Sequence, residues 1–409
     1  MSWQPNPRVT IGATDFTQHA INRVTVNAGR ATVYERPNAG YASVELIDVD
    51  GIPPFRVGDE LKVFIDRAQF VWEALADSWS AVGSTWETVG VQFQSEVIFT
   101  GTVSDFTTDV EPPASRPVIT HTIQAVGPLS LLNRRQIYFG GRVQETDGER
   151  LLNILTAALG TAAVNPDVVE PGVFDLAAVA VSDSGYNALS LAQETAFSGE
   201  GVLFETADGF IGYTNADGRL ENERTRVLDI PFGELSVRGV RVLQQLADIT
   251  NVVGVEYASG VVTAEDQDSI NEFGRYESEI VTTLVNESNA DARARQFLER
   301  HAVPSFVLDR LDFNLLGIDD VLRNNILELR PSEAIRVLDV PSRLGFTQFR
   351  GFVEGYRLTF DPFAAELTFV VSDRRLSIGA QRWQQVLDTI AWQDVDPTLT
   401  WADATEVTT

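Results

Sequence analysis

Residues 99–112 read FTGTVSDFTTDVEP, and residues 349–362 read FRGFVEGYRLTFDP. Both have the form Phe-x-Gly-x-Val-x-x-aromatic-x-x-x-apolar-acid-Pro, with no gap. Phe99, Gly101 and Val103 in one, and Phe349, Gly351 and Val353 in the other, alternate and therefore share one face of a strand. The apolar parity then slips by one, to Phe106 and Val110 in the first copy and to Tyr356 and Phe360 in the second. A slip at the same place predicts the same bulge or turn in both. After the acid-proline corners at Pro112 and Pro362, alternation resumes through Ile119, His121, Ile123 and Ala125, and through Leu367, Phe369 and Val371. Upstream, LKVFID (residues 61–66) and IRVLDV (residues 335–340) read as the matching preceding strands. The pattern predicts one β-barrel module used twice. Two unrelated hairpins rich in Phe, Gly and Pro are the alternative, and the ungapped match favours duplication.

A chain of 409 residues is too long for one core and predicts two to four domains. Apolar and charged contents of 44% and 22% are those of a globular protein. No run approaches the ~18 apolar residues of a membrane span, and no basic segment followed by an apolar one opens the chain as a secretory signal would. With no cysteine, disulfides, thiolate metal sites and cysteine nucleophiles are excluded. The net charge of −27 argues against gripping nucleic-acid phosphate, but lets a polyanion pass without sticking. Lys62 is the only lysine among 31 basic residues, so nearly every cationic contact uses a guanidinium.

Along the chain, residues 1–140 read as a first β-barrel module of short strands and turns. It carries an insertion at 68–94, where Trp72, Trp79 and Trp86 fall seven apart. That spacing fits one stripe of a helix, and an extended arm fits equally. Residues 141–226 read as a small α+β domain. Thr146 and Glu149 form a capping box ahead of an apolar stripe. A second helix is expected from Tyr186 to Phe197 with Ser184 as its cap, followed by a hairpin through Ala207-Asp208-Gly209. Residues 227–376 read as the second barrel module, interrupted by a helix at 289–302, with another helix expected between Ile318 and Leu329. Residues 377–409 form an acidic extension carrying Trp383, Trp392 and Trp401. The six tryptophans are candidate interface residues, each able to bury a ring against another protein. The fold class is thus mainly β with an α+β insert.

The catalytic inventory is thin. His19, His121 and His301 have no metal-ligand spacing, and His121, flanked by Ile119 and Ile123, reads as a wall residue. There is no nucleophile elbow and no phosphate loop. The 58 acidic residues make some carboxylate pair inevitable, without a flanking motif to single one out as a glycosidase pair. Asp48-Val49-Asp50-Gly51 echoes a calcium loop but runs into Pro53-Pro54, and reads as a turn. No catalytic residue, cofactor or metal is expected.

The order of elements resembles the hub proteins of tailed-phage tail tips, also called minor tail or baseplate hub proteins. VTIGATDFTQHAINRVTVNAGR, YASVELIDVDG and FRVGDELKVFI are similar to that family's N-terminal barrel, and FTGTVSDF with VITHTIQAVGPLSLLNRRQI to the end of that barrel. YNALSLAQETAFSGEGVLFETADGFIGYTNADGR resembles its helix-and-hairpin unit; ITNVVGVEY, DQDSINEFGRYESEI and ADARARQFLERHAVP resemble its second half. The likeness covers about residues 8–375 in element order. It implies a structural role: a homotrimer whose two barrels per chain make a ring of six. That ring would join the tail tube to distal tip or fibre proteins and surround the DNA channel. DNA would pass without specific binding, and the protein would be assembled in the host cytoplasm and located in the virion. The Trp insertion and Trp tail depart from the common pattern and are expected to dock on neighbouring tail proteins. A receptor- or carbohydrate-binding tail protein is the second reading, and a cell-wall glycosidase the third.

Overall fold

The structure is a computed structural model describing residues 7–16, 20–30, 36–48, 54–70, 91–111, 118–138, 141–236, 240–243, 249–304, 307–344 and 346–374. The first region supplies β1 (Arg8–Ile11), β2 (Thr14–Phe16), β3 (Ile21–Gly29) and β4 (Tyr41–Asp48). The strands β5 (Glu60–Phe70), β6 (Val91–Glu111) and β7 (Val118–Val126) follow. The strands reach into the insertion expected at 68–94, because β5 and β6 stay paired out to Phe70 opposite Val91. Residues 65–70 and 91–96 therefore continue as a two-stranded ribbon beyond the last pair of β1 with β5. The insertion's three tryptophans, like the three in the C-terminal extension, lie outside the described residues.

The middle of the chain begins with α1 (Leu129–Asn133), β8 (Gln136–Ile137), β9 (Glu145–Thr146) and α2 (Asp147–Leu159). It continues with β10 (Asp175–Leu176), β11 (Tyr186–Asn187), α3 (Ala188–Ser198), β12 (Val202–Glu205), β13 (Ile211–Thr214) and α4 (Ala216–Thr225). Both halves of the Thr146/Glu149 capping box form on α2. The cap of α3 is Asn187, whose side chain accepts from the Ser190 amide, rather than Ser184. Asn187 lies next to the first helical residue in extended conformation, and Ser184 lies too far upstream to reach the free amides. The helix α4 was legible in its Asn215 cap, which accepts from the amides of Asp217 and Gly218, but not in an apolar stripe, because the segment is polar almost throughout. Leu151, Ile154, Leu155, Ala188, Ala192, Leu203 and Tyr213 form a core separate from that of the large sheet.

The last region holds β14 (Val227–Pro231), β15 (Val240–Leu243), β16 (Val252–Tyr257), β17 (Gly260–Glu265), α5 (Gln267–Phe273), β18 (Glu277–Val281) and α6 (Glu287–His301). It ends with β19 (Val307–Asn314), α7 (Asp320–Glu328), β20 (Ala334–Leu338), β21 (Phe349–Asp361) and β22 (Ala364–Asp373). The helix expected inside the second module, α6, does not pack on the large sheet. Its Ala290, Ala294 and Leu298 face Val253 and Val255 of the small sheet β17-β16-β18, in a core that also takes Leu176. Strand alternation could not reveal this, since β16 has the same periodicity as strands of the large sheet.

The two quoted stretches occupy corresponding places. Leu61 pairs with Gly101 and Val63 with Phe99; Ile335 pairs with Gly351 and Val337 with Phe349. On the other side Ala125 pairs with Val103 and Ile123 with Phe106, as Val371 does with Val353 and Phe369 with Tyr356. The β6–β7 ladder shifts at Ser104, between Val103 and Asp105, and the β21–β22 ladder at Glu354, between Val353 and Gly355. One inserted residue reverses the facing of all that follow, which is the parity slip seen in the sequence.

The Phe-x-Gly pair is a packing unit. A Cβ on Gly101 would stand 2.7 Å from the Phe99 ring and 2.7 Å from the Val126 carbonyl oxygen. On Gly351 it would stand 2.6 Å from the Phe349 ring and 2.1 Å from the Ser372 carbonyl oxygen. In both units the phenylalanine covers the bare glycine backbone. Gly351→Ala is expected to destabilise by about 3 kcal/mol and Gly101→Ala by about 2 kcal/mol, read as shifts in denaturant midpoint. The order follows from the closer backbone oxygen at Gly351.

The correspondence runs further upstream than the quoted motif. FRVGDEL (residues 55–61) aligns with LRPSEAI (residues 329–335). The Arg56 amide donates to the Asp59 carboxylate at 2.7 Å, and the Arg330 amide to the Glu333 carboxylate at 2.7 Å. Gly58 (φ +97°) and Ser332 (φ +77°) are both left-handed. Their amides donate to the carbonyls of Val103 and Val353. The units differ at the next strand, where β1 is antiparallel to β5 but β14 is parallel to β20.

Neither unit closes into a barrel of its own among the described residues. The reason lies in β21, which gives residues 349–352 to β20 and residues 355–360 to β3 of the first unit. The second unit therefore runs on into the first, and all 13 strands form one sheet, ordered β15-β19-β22-β21-β3-β4-β7-β6-β5-β1-β2 with β14 and β20 beside β21. A single apolar cluster, from Val9 to Val371, lies under both units and under α7.

Candidate assembly surfaces

Seven consecutive strands, β19-β22-β21-β3-β4-β7-β6, present one face to this core. Alternation puts the intervening residues on the other face. Thr25, Asn27, Ser43, Thr107, Thr120, Thr122, Gln124, Thr359 and Thr368 stand there, with Arg23, Arg310 and Arg357 among Glu45, Asp105, Asp109, Asp312 and Glu366. It is a hydroxyl- and amide-rich surface with more acids than bases. Arg310 is held by Asp312 at 2.9 Å, and Thr368 donates to the same carboxylate at 2.7 Å. Among the described residues no stripe of cations crosses it of the kind that phosphate binding needs.

The two units differ in how their second-half edges are covered. In the second unit β3 lies against β21, and Leu358 and Phe360 are buried at 2% and 1% exposure. The corresponding residues of the first unit are Thr108 and Val110. Among the described residues no strand pairs with that edge of β6 beyond Val103, and Val110 is 57% exposed. At the opposite end of the sheet β15 pairs only with β19, leaving its outer edge without a strand among the described residues.

At the junction of the units, Gly29 (φ +81°) meets Gly355, and a Cβ on Gly29 would stand 2.3 Å from the Glu354 carbonyl oxygen. The bulge residue Glu354 turns its carboxylate inward. Arg219 of α4 reaches it at 2.8 Å, Ser372 of β22 donates at 2.6 Å, and Arg30, just after β3, stands at 3.6 Å. Three regions of the chain thus meet on one carboxylate that is 2% exposed. Burial pushes this carboxyl up, but Arg219 and Arg30 outweigh it and hold it below its ordinary range. Burial in turn lowers Arg30. The corresponding bulge residue in the first unit, Ser104, donates to the Gln124 carbonyl at 3.2 Å and stands 3.5 Å from the Asp105 carboxylate.

A second carboxylate, Glu205 on β12, pins the middle region to the first unit. Its oxygens accept from the amides of Gly40 at 2.7 Å and Leu129 at 2.6 Å. Gly127 lies so close that a Cβ there would stand 2.1 Å from the carboxylate. Burial pushes the Glu205 carboxyl up to about 7, against the pull of the two amides. A third buried carboxylate, Asp147, accepts from the amides of Val173 and Phe174 at 2.7 Å each and from the Tyr213 hydroxyl at 2.5 Å.

His121 is 1% exposed, shares a 2.8 Å hydrogen bond with Thr108, and meets Phe55 edge-on at 6.0 Å. His301 stacks on Phe297 at 4.0 Å. His19 and the turn at residues 49–51 lie outside the described residues. Among the described residues no group of three His, Asp or Glu is placed to hold a metal, and no helix is long and apolar enough to cross a membrane. Of the duplicated motif, Pro112 lies outside the described residues, and Pro362 sits in an exposed turn before Phe363, which is 91% exposed.

No protein-family model matches the sequence, and no curated protein matches it. Solved structures do. The 43 kDa tail protein of prophage MuSo2 from Shewanella oneidensis superposes with a TM-score of 0.58 at 13% identity, covering 91% of this chain and 99% of that one. The tail protein from Neisseria meningitidis MC58 superposes with a TM-score of 0.60 at 10% identity, covering 92% of this chain and 98% of that one. The fold is that of phage tail proteins. At such identities it is the tail-protein fold that is shared, with almost none of its side chains.

Proposed function

We propose that the chain is a structural, non-catalytic component of a phage tail tip. Three copies close into a ring of six sheet units that joins the tail tube to distal tip proteins, with the polar face turned to the DNA channel. The observation that carries this is the repeat itself. Two units with one register, joined by strand pairing between them, let a three-fold assembly present six similar surfaces. The character of the seven-strand face supports the choice of lumen, because hydroxyls, amides and a surplus of carboxylates give sliding DNA nothing to hold. The shared tail-protein fold supports a place in the virion, next to other tail components.

Mass measurement of the purified protein, alone and with a tail-tube protein, tests the reading. A species of three chains that takes up tube protein is the expected result. A stable monomer indifferent to the tube overturns it.

A further inference from the structure

We propose which edges close the ring: the outer edge of β15 in one copy lies antiparallel against residues 107–110 of β6 in the next. The inference rests on the ring reading above. Its template is inside the chain, where β3 of the first unit covers β21 of the second. The strand registers carry that junction over to the unused edges. Across the first unit one row runs Val24, Val44, Ile123, Phe106; across the second it runs Val240, Leu311, Phe369, Tyr356. Position 240 therefore corresponds to Val24, and Val110 corresponds to Phe360. Since Val24 faces Phe360, Val240 of one copy faces Val110 of the next, and position 241 faces Asp109.

Two further features select a second copy as the occupant. The exposed Val110 would gain the cover that Phe360 already has. Position 241 is an arginine in the sequence, opposite Asp109, so the edges are complementary in charge. The match is short, because Asp105 stands where the close glycine contact of the internal junction has Gly355, and β15 itself spans four residues.

The chain has no cysteine, so engineered pairs report without background. Val110→Cys with Val240→Cys in one chain is expected to give, on oxidation, reducible species of two and three linked chains. Either substitution alone is expected to give neither. Asp109→Cys with Val240→Cys, one residue out of register, is expected to link at least tenfold less. Asp109→Arg alone is expected to raise the concentration needed for trimer at least tenfold, and Arg241→Asp added to it to restore assembly. A trimer by mass in which the 110/240 pair does not link overturns this pairing and leaves the ring reading standing. A chain that stays monomeric at every concentration overturns both.

Discussion

Glu354→Ala lowers the free energy of unfolding by about 3–5 kcal/mol, the cost of leaving buried cations without their anion. Arg219 is 4% exposed and cannot swing out to water; its guanidinium lies 5.3 Å from the centre of the Phe352 ring. Ser372 also loses its acceptor. Replacing Glu354 and Arg219 together by Met is expected to recover part of the loss, because the cation then left without the carboxylate is Arg30, whose side chain is 20% exposed and reaches water. Ser104→Ala, at the corresponding bulge, is expected to cost about 1 kcal/mol, the loss of one ordinary hydrogen bond. Denaturant titration of the four proteins checks the order. The node also gives a pH signature. With its folded carboxyl held below 4.5, Glu354 contributes stability that is present above that pH and is lost as pH falls through the folded value.

Stability should also fall on the alkaline side of pH 5, because of Glu205. Its folded carboxyl titrates near 7 against 4.5 in the unfolded chain, a difference corresponding to about 3 kcal/mol. The sign is opposite to that of Glu354: the contribution is complete below 4.5 and is lost as pH rises through 7. Glu205→Gln is expected to abolish this slope between pH 5 and pH 8. It should also destabilise at pH 5 by about 1–3 kcal/mol, because the amide group of Gln donates where a backbone amide of Gly40 or Leu129 needs an acceptor. Unfolding at pH 5, 6.5 and 8 checks both. An unchanged slope in the variant would assign the titration to another group.

Much of the large sheet is written in local periodicity. The parity slip after Val103 and Val353 marks the bulges, and the Thr146 capping box marks the start of α2. The pairing of residues 55–61 with 329–335 was also available, in an arginine followed three residues later by an acid. It was hidden by the exchange of Gly58 for Ser332 at a left-handed position that usually asks for glycine. The parity slip places Glu354 at a bulge, but nothing beside it in the chain says that its carboxylate turns inward. Its role depends on Arg219, from a helix with no apolar stripe, and on Arg30.

The amino-acid sequence alone determined that a strand-bulge-strand unit occurs twice, because side-chain alternation and a Phe covering a Gly are contacts within a few residues or one ladder. Only the tertiary structure decided that the two units share one sheet, with neither closing separately among the described residues, and that α6 belongs to a different core. Strand edges join through backbone amides and carbonyls, which are the same in every residue but proline. The choice of partner for a given edge is therefore settled by burial and close approach across the fold, as at Gly29 and Gly355, and not by the pattern of any one segment.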